Sequence, residues 1–67
     1  MSYQIGERVI VDAAVMGDGI HRPAVITDIY EFFQEVFIHV MFDEPTADGW
    51  NGYIITNLAM IRKEERA

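Results

Sequence analysis

Apolar residues occupy both sides of residues 35–43, the run Glu-Val-Phe-Ile-His-Val-Met-Phe-Asp. Side chains of an extended chain point alternately to opposite faces. Val36, Ile38, Val40 and Phe42 therefore share one face, and Phe37, His39 and Met41 share the other. A small single-layered barrel buries one such face in its core. The second face calls for another layer, a ligand or a partner, so this strand is the chain's main pointer towards association.

The remaining pattern is one of short strands separated by turn chemistry. Residues 7–11 form a β-branched run after Gly6 and predict a first strand. Residues 12–21 make a long connection marked by Gly17-Asp18-Gly19. Residues 22–30 predict a second strand, with Pro23 at its start, where a missing N–H donor is tolerated. Its apolar positions Ala24, Ile26 and Ile29 break strict alternation, which predicts a bulge near Thr27 and Asp28. Residues 31–34 turn the chain into the two-faced third strand. Residues 43–52 are a loop rich in turn formers. A short fourth strand over 53–56, a 3₁₀ turn over 57–60 and a final strand over 61–63 complete the chain, with 64–67 expected as a frayed tail. Helix competes for residues 28–42, but their β-branched and aromatic content favours strand.

Composition sets the limits. Sixty-seven residues make a single domain spanning 1–67, near the lower size at which a chain folds without metal or disulfide staples. With no cysteine, disulfides and thiolate chemistry are excluded. No apolar run approaches the ~20 residues of a membrane-spanning helix. Residues 1–7 lack the features of a secretory signal, so a cytoplasmic protein with no membrane partner is expected. Eleven acidic against five basic residues give a net charge of −6, which disfavours direct nucleic-acid binding. The charge suits a solubilising surface or a partner protein with a basic surface.

Five short strands, a long first loop, a tight central hairpin and a turn before the last strand outline an all-β, five-stranded SH3-like barrel. The residues that carry this resemblance are Ile5-Gly6-Glu7-Arg8-Val9, Ala24-Val25-Ile26, Val40-Met41-Phe42-Asp43, and Thr56-Asn57-Leu58 with Ile61. The layout is similar to that of the small peripheral SH3-like subunit of photosystem I and of the type II dihydrofolate reductases. These are barrel-building positions. Where the reductases carry a Val-Gln-Ile-Tyr run, this chain has Asn51-Gly-Tyr-Ile-Ile-Thr56. The resemblance therefore implies the fold and leaves the function to the residues themselves.

Candidate chemistry is sparse. His21 and His39, with Asp12, Asp18, Asp28 or Asp43, match no metal-ligand spacing, and no cofactor is implied. Gly17-Asp18-Gly19 lacks the Lys-Ser/Thr ending of a phosphate loop. Asp43, Glu44 and Asp48 lack the spacing of a calcium loop. No threonine has a histidine near it in sequence, so no catalytic residue is assigned and an enzyme is disfavoured. The aromatic residues carry more. Phe32 and Phe33 sit at the hairpin tip, where two water-facing rings are usually avoided. Tyr30, Trp50 and Tyr53, with Asp43 or Asp48, suggest a patch for a ligand or a cationic partner group.

The residues thus point to a non-catalytic interaction module that self-associates, at least as a dimer. The expected interface is Phe32, Phe33, Phe37, His39 and Met41, with edge-strand pairing as one geometry. Two other readings stay open. One is an oligomeric barrel that binds a small molecule between subunits; the other is an acidic inhibitor of a nucleic-acid-binding protein.

Overall fold

The computed structural model describes residues 3–64. Its five strands are β1 (Arg8–Val11), β2 (Arg22–Phe32), β3 (Glu35–Phe42), β4 (Gly52–Ile55) and β5 (Ile61–Lys63). They form one antiparallel sheet in the order β4-β3-β2-β1-β5. A 3₁₀ turn (Leu58–Met60) precedes β5, capped by the Asn57 side chain, which accepts from the Ala59 N–H at 3.0 Å. The fold is all-β, as the strand pattern predicts.

Every strand feeds the core through alternate residues. Val9, Val11, Ala24, Ile26, Ile38, Val40, Phe42, Ile55 and Ile61 are buried, and Tyr3, Val15, Met16, Ile29, Val36 and Met60 pack partly against them. Each fully buried aliphatic side chain contributes about 1.5–3 kcal/mol, so nine make a small core with little to spare against chain entropy. The inward set on β3 is the one that alternation selects.

The bulge falls where the broken alternation of β2 places it. Pairing with β3 steps from Ile26↔Val40 to Asp28↔His39, leaving Thr27 without an opposite residue. Thr27 Oγ1 donates to the His39 carbonyl at 3.3 Å, and Asp28 Oδ1 accepts from the Ile29 N–H at 2.9 Å. These bonds occupy polar groups where the ladder is interrupted. The bulge then returns Ile29 to the inner face, opposite Ile38.

Three expectations need correction. The hairpin is tighter than residues 31–34: β2 runs to Phe32, β3 starts at Glu35, and only Phe33 and Gln34 turn. Residues 12–21 are not irregular throughout, since one helical turn, α1 (Ala13–Met16), follows β1. Asp12 caps it by accepting from the Ala14 N–H at 2.8 Å, and Gly17 ends it at φ 74°. Both cap residues are visible in sequence, but four residues are too few for helical periodicity to register. Glu64 is not frayed: its N–H donates to the Arg8 carbonyl at 3.2 Å, and its carboxylate accepts from Arg8 Nε at 3.1 Å. The rest of the expected tail, 65–67, lies outside the described residues.

Gly52 opens β4 opposite Met41, where the backbones approach too closely for a side chain. A Cβ at this position would stand 2.5 Å from the Val40 carbonyl oxygen. Gly52→Ala must push β4 away from β3, and a loss of about 1–3 kcal/mol in urea unfolding is expected. A loss of less than about 0.5 kcal/mol, the scale of an ordinary surface change, would refute that reading.

Arg22 is buried at the start of β2, with its guanidinium 5.8 Å from the centre of the Phe42 ring. Its Nη1 donates to Asp18 Oδ1 at 2.9 Å, and its Nη2 pairs with Asp18 Oδ2, which ties the loop before β2 to the sheet. The hydrogen bonds from Arg22 lower the Asp18 pKa from 3.8 to about 2. Because the folded-state value is the depressed one, the pair's stabilisation is complete above the ordinary carboxylate value and disappears as pH falls towards 2. The melting temperature should therefore fall from pH 4 to pH 2, and more gently in Asp18→Asn. Asp43, lowered by its hydrogen bonds from Arg8, accounts for part of the slope that remains. Equal slopes in the two proteins would count against the assignment.

Candidate interaction surface

The outward residues of β3 lie beside outward residues of both neighbouring strands. Phe37 pairs with Tyr30 and Met41 with Val25 on β2, while His39 pairs with Ile54 and Met41 with Gly52 on β4. Such register partners share a face of the sheet, with side chains in reach of one another. Tyr30 stacks on Phe37 with centroids 5.2 Å apart and planes 13° from parallel, and it leans on His39 at 5.4 Å. The Tyr30 hydroxyl and His39 Nε2 are hydrogen-bonded at 3.3 Å. An aromatic and aliphatic stripe thus crosses three strands on the solvent side. Tyr30, Met41 and Ile54 are exposed along it, while Phe37 and His39 are half-buried by their neighbours.

The stripe continues to the hairpin tip. Tyr30 and Phe32 are two residues apart on β2 and so share a face. Phe32 and Phe33 meet edge to face with centroids 4.4 Å apart, and Phe33 is 87% exposed. Phe33 and Gln34 have φ of 51° and 67°, the signature of a two-residue type I′ turn. That turn favours Asn-Gly, because residues with larger side chains are strained at positive φ. A bulky ring therefore stands at a strained, water-facing position.

At the other end, the loop after β3 presents Trp50. Thr46 is buried and holds Trp50 from both sides: the Thr46 N–H donates to the Trp50 carbonyl at 2.9 Å, and the Trp50 N–H donates to Thr46 Oγ1 at 3.0 Å. The Phe42 N–H donates to the Asn51 carbonyl at 2.8 Å, anchoring the loop to the end of β3. Trp50 meets Tyr53 edge to face at 6.4 Å, and both are exposed. Between this loop and the sheet lies a groove of about 570 Å³, lined by Thr27, His39, Val40, Met41, Trp50, Asn51, Gly52, Tyr53 and Ile54. No carboxylate lines it.

The structure brings together some of the residues singled out from sequence and separates others. Phe37, His39 and Met41 share the stripe, with Phe32 and Phe33 at its end. Trp50 and Tyr53 meet, but Tyr30 stands with Phe37 and His39. Asp43 is held by Arg8, whose Nη1 donates to Asp43 Oδ1 at 2.8 Å, and neither Asp43 nor Asp48 lines the groove. The groove beside Trp50 thus has no acidic wall, while Asp28 and Glu35 stand among the outward aromatics, opposite His39 and Phe32. His21 serves α1 instead, its Nδ1 accepting from the Ala13 N–H at 3.2 Å. Among the described residues, no three His, Asp or Glu side chains gather to hold a metal ion, and no helix is long and apolar enough to cross a membrane. Sequence reasoning misses Ile54, although the two-faced pair Ile54-Ile55 carries the same signal as β3. No protein-family model, curated protein or solved structure matches this chain.

Proposed function

We propose that this chain is a non-catalytic interaction module of the cytoplasm that self-associates, at least as a dimer, through the outward face of β3 and the hairpin tip. The observation that carries the reading is the run of outward apolar side chains, broken by Asp28 and Glu35, on a strand whose other face already fills the core. Tyr30, Phe32, Phe33 and Trp50 are each between 42% and 87% exposed. At about 150–250 Å² per aromatic side chain, this set offers on the order of 500 Å². Met41 and Ile54 bring it close to the roughly 800 Å² per partner of a standard interface. Aromatic anchors of this kind supply most of the affinity in protein contacts.

The groove lining favours an apolar occupant over a cationic one. The chain carries −6 overall, yet the groove has no acidic lining to recognise a cation. Two copies joined here bring their outward apolar side chains together, with Asp28 and Glu35 the carboxylates of this face. The strand order and the 3₁₀ turn before β5 support placing the sheet among SH3-like barrels, a fold that hosts many binding roles. Light scattering coupled to size exclusion tests the proposal. A mass of twice the chain or more, falling on dilution, is expected; a monomer at every concentration would overturn it.

A further inference from the structure

The structure assigns a self-modification site to the rim of the Trp50 groove: the Asn51 side chain deamidates through a cyclic imide formed with the Gly52 nitrogen. That reaction needs an asparagine amide that nothing holds and a following backbone nitrogen that nothing shields. Asn51 lines the groove and is exposed, and among the described residues no hydrogen bond engages its side chain. The chain's other asparagine, Asn57, is occupied. Its side-chain oxygen caps the 3₁₀ turn, accepting from the Ala59 N–H at 3.0 Å, and the bulky Leu58 follows it.

The Gly52 nitrogen is open for two reasons. Residues of an antiparallel pair alternate between those bonded to the partner strand and those whose N–H and C=O face away from it. The Phe42 N–H donates to the Asn51 carbonyl at 2.8 Å, so residue 51 faces β3 and residue 52 directs its N–H the other way. β4 is an edge strand, and among the described residues nothing accepts from this N–H. Gly49, after Asp48, differs, because its N–H donates to the Thr46 carbonyl at 2.9 Å. The second reason is steric. A Cβ on residue 52 would stand 2.5 Å from the Val40 carbonyl oxygen, so the strand pairing itself demands glycine, the residue that crowds its own nitrogen least.

The Gly52 nitrogen attacks Asn51 Cγ. The N–Cγ bond forms, the Cγ–Nδ2 bond breaks, and the backbone amide proton leaves with Nδ2 as ammonia. Water then opens the imide at either of its carbonyls. Opening at Cγ leaves aspartate. Opening at the main-chain carbonyl leaves isoaspartate, whose backbone runs through Cβ and Cγ and is lengthened by an extra atom. Either product places a carboxylate in a groove that is lined by none. Isoaspartate also converts the carbonyl that accepts from Phe42 into that carboxylate, and displaces Gly52 from its close passage beside Val40. The groove thus changes with time from a neutral surface to a charged one, with water as the only co-reactant.

The protein is incubated at low concentration, pH 8 and 37 °C, beside a free peptide of its residues 48–54, and both are followed by peptide-mapping mass spectrometry. Deamidation raises the mass, which separates it from isomerisation at Asp18-Gly19 or Asp48-Gly49. The gain should map to Asn51 and not to Asn57, at no less than about one tenth of the peptide's rate. A reaction that waits for global unfolding is slowed by the folded-to-unfolded ratio, which passes tenfold at about 1.4 kcal/mol of stability. The gain should also slow at pH 5, because the attacking nitrogen must lose its proton. A gain slower than one tenth of the peptide's rate, or one at Asn57, would overturn the assignment. Asn51→Gln, whose amide stands one carbon further out, should keep its melting temperature and gain no mass at residue 51 over the same period; an equal gain would exclude the imide. Ion exchange separates the isoaspartate form, which should melt at least about 4 °C below Asn51→Asp, the variant that carries the charge on an ordinary backbone. Equal melting would overturn the predicted strain at the start of β4. These outcomes do not depend on whether the chain self-associates.

Discussion

Phe37→Glu yields a folded monomer. Phe37 lies at the middle of the outward stripe, stacked on Tyr30 at 5.2 Å, and contributes nothing to the inner face of the sheet. A carboxylate there faces desolvation in any apolar interface, and central aromatic anchors typically contribute about 2 kcal/mol or more to binding. The dimer dissociation constant should therefore rise at least thirtyfold. Within one chain the change loses an aromatic pair, about 0.5–1.5 kcal/mol, so a cooperative melt should survive. The melting temperature supplies a second readout. Self-association makes it depend on protein concentration in the unmodified chain, and that dependence should vanish in the variant. An oligomer of unchanged mass would sink the assignment of this face.

The neighbouring substitution, Ile38→Ala, should do the reverse and abolish the fold. Ile38 is fully buried and stands between Ile29 of β2 and Ile55 of β4. Truncating such a side chain removes its transfer free energy and leaves a cavity, together about 2–5 kcal/mol. A core of this size rarely supplies more than about 3–5 kcal/mol of net stability. The variant should be largely unfolded at 25 °C by circular dichroism, or unfold at much lower urea. A loss below about 1 kcal/mol would show that the sheet does not depend on β3 as described. One residue apart, these two positions separate folding from assembly, because successive side chains of a strand face opposite ways.

That alternation is also why much of this protein is legible without coordinates. The split of β3 into Val36, Ile38, Val40 and Phe42 against Phe37, His39 and Met41 follows from period alone. The bulge follows too: Ala24, Ile26 and Ile29 can all face inward only if one residue is added between the last two. Turn chemistry marks the loop after β3, and Asn57 marks the 3₁₀ turn. The hairpin was less legible because Phe33 and Gln34 are poor residues for left-handed backbone, so composition spreads the turn over more residues than it uses. The order of Glu64 is not legible in the sequence because its partner, Arg8, lies 56 residues away.

The candidate surface divides along the same line. Its residues on β3 are set by local alternation, and so is the expectation that they lack cover. Which other residues join them depends on strand register. Register brings Tyr30 and Ile54 to the stripe, draws Asp43 away to Arg8, and places Trp50 beside Tyr53 with no carboxylate between. By itself the sequence determined the all-β class, the inward and outward faces of β3 and the acidic character of the chain, because these depend on residue type and on a period of two. The tertiary structure alone decided that the outward aromatics form one stripe ending in an apolar groove, because the order and register of pairing are set by contacts between residues far apart in the chain.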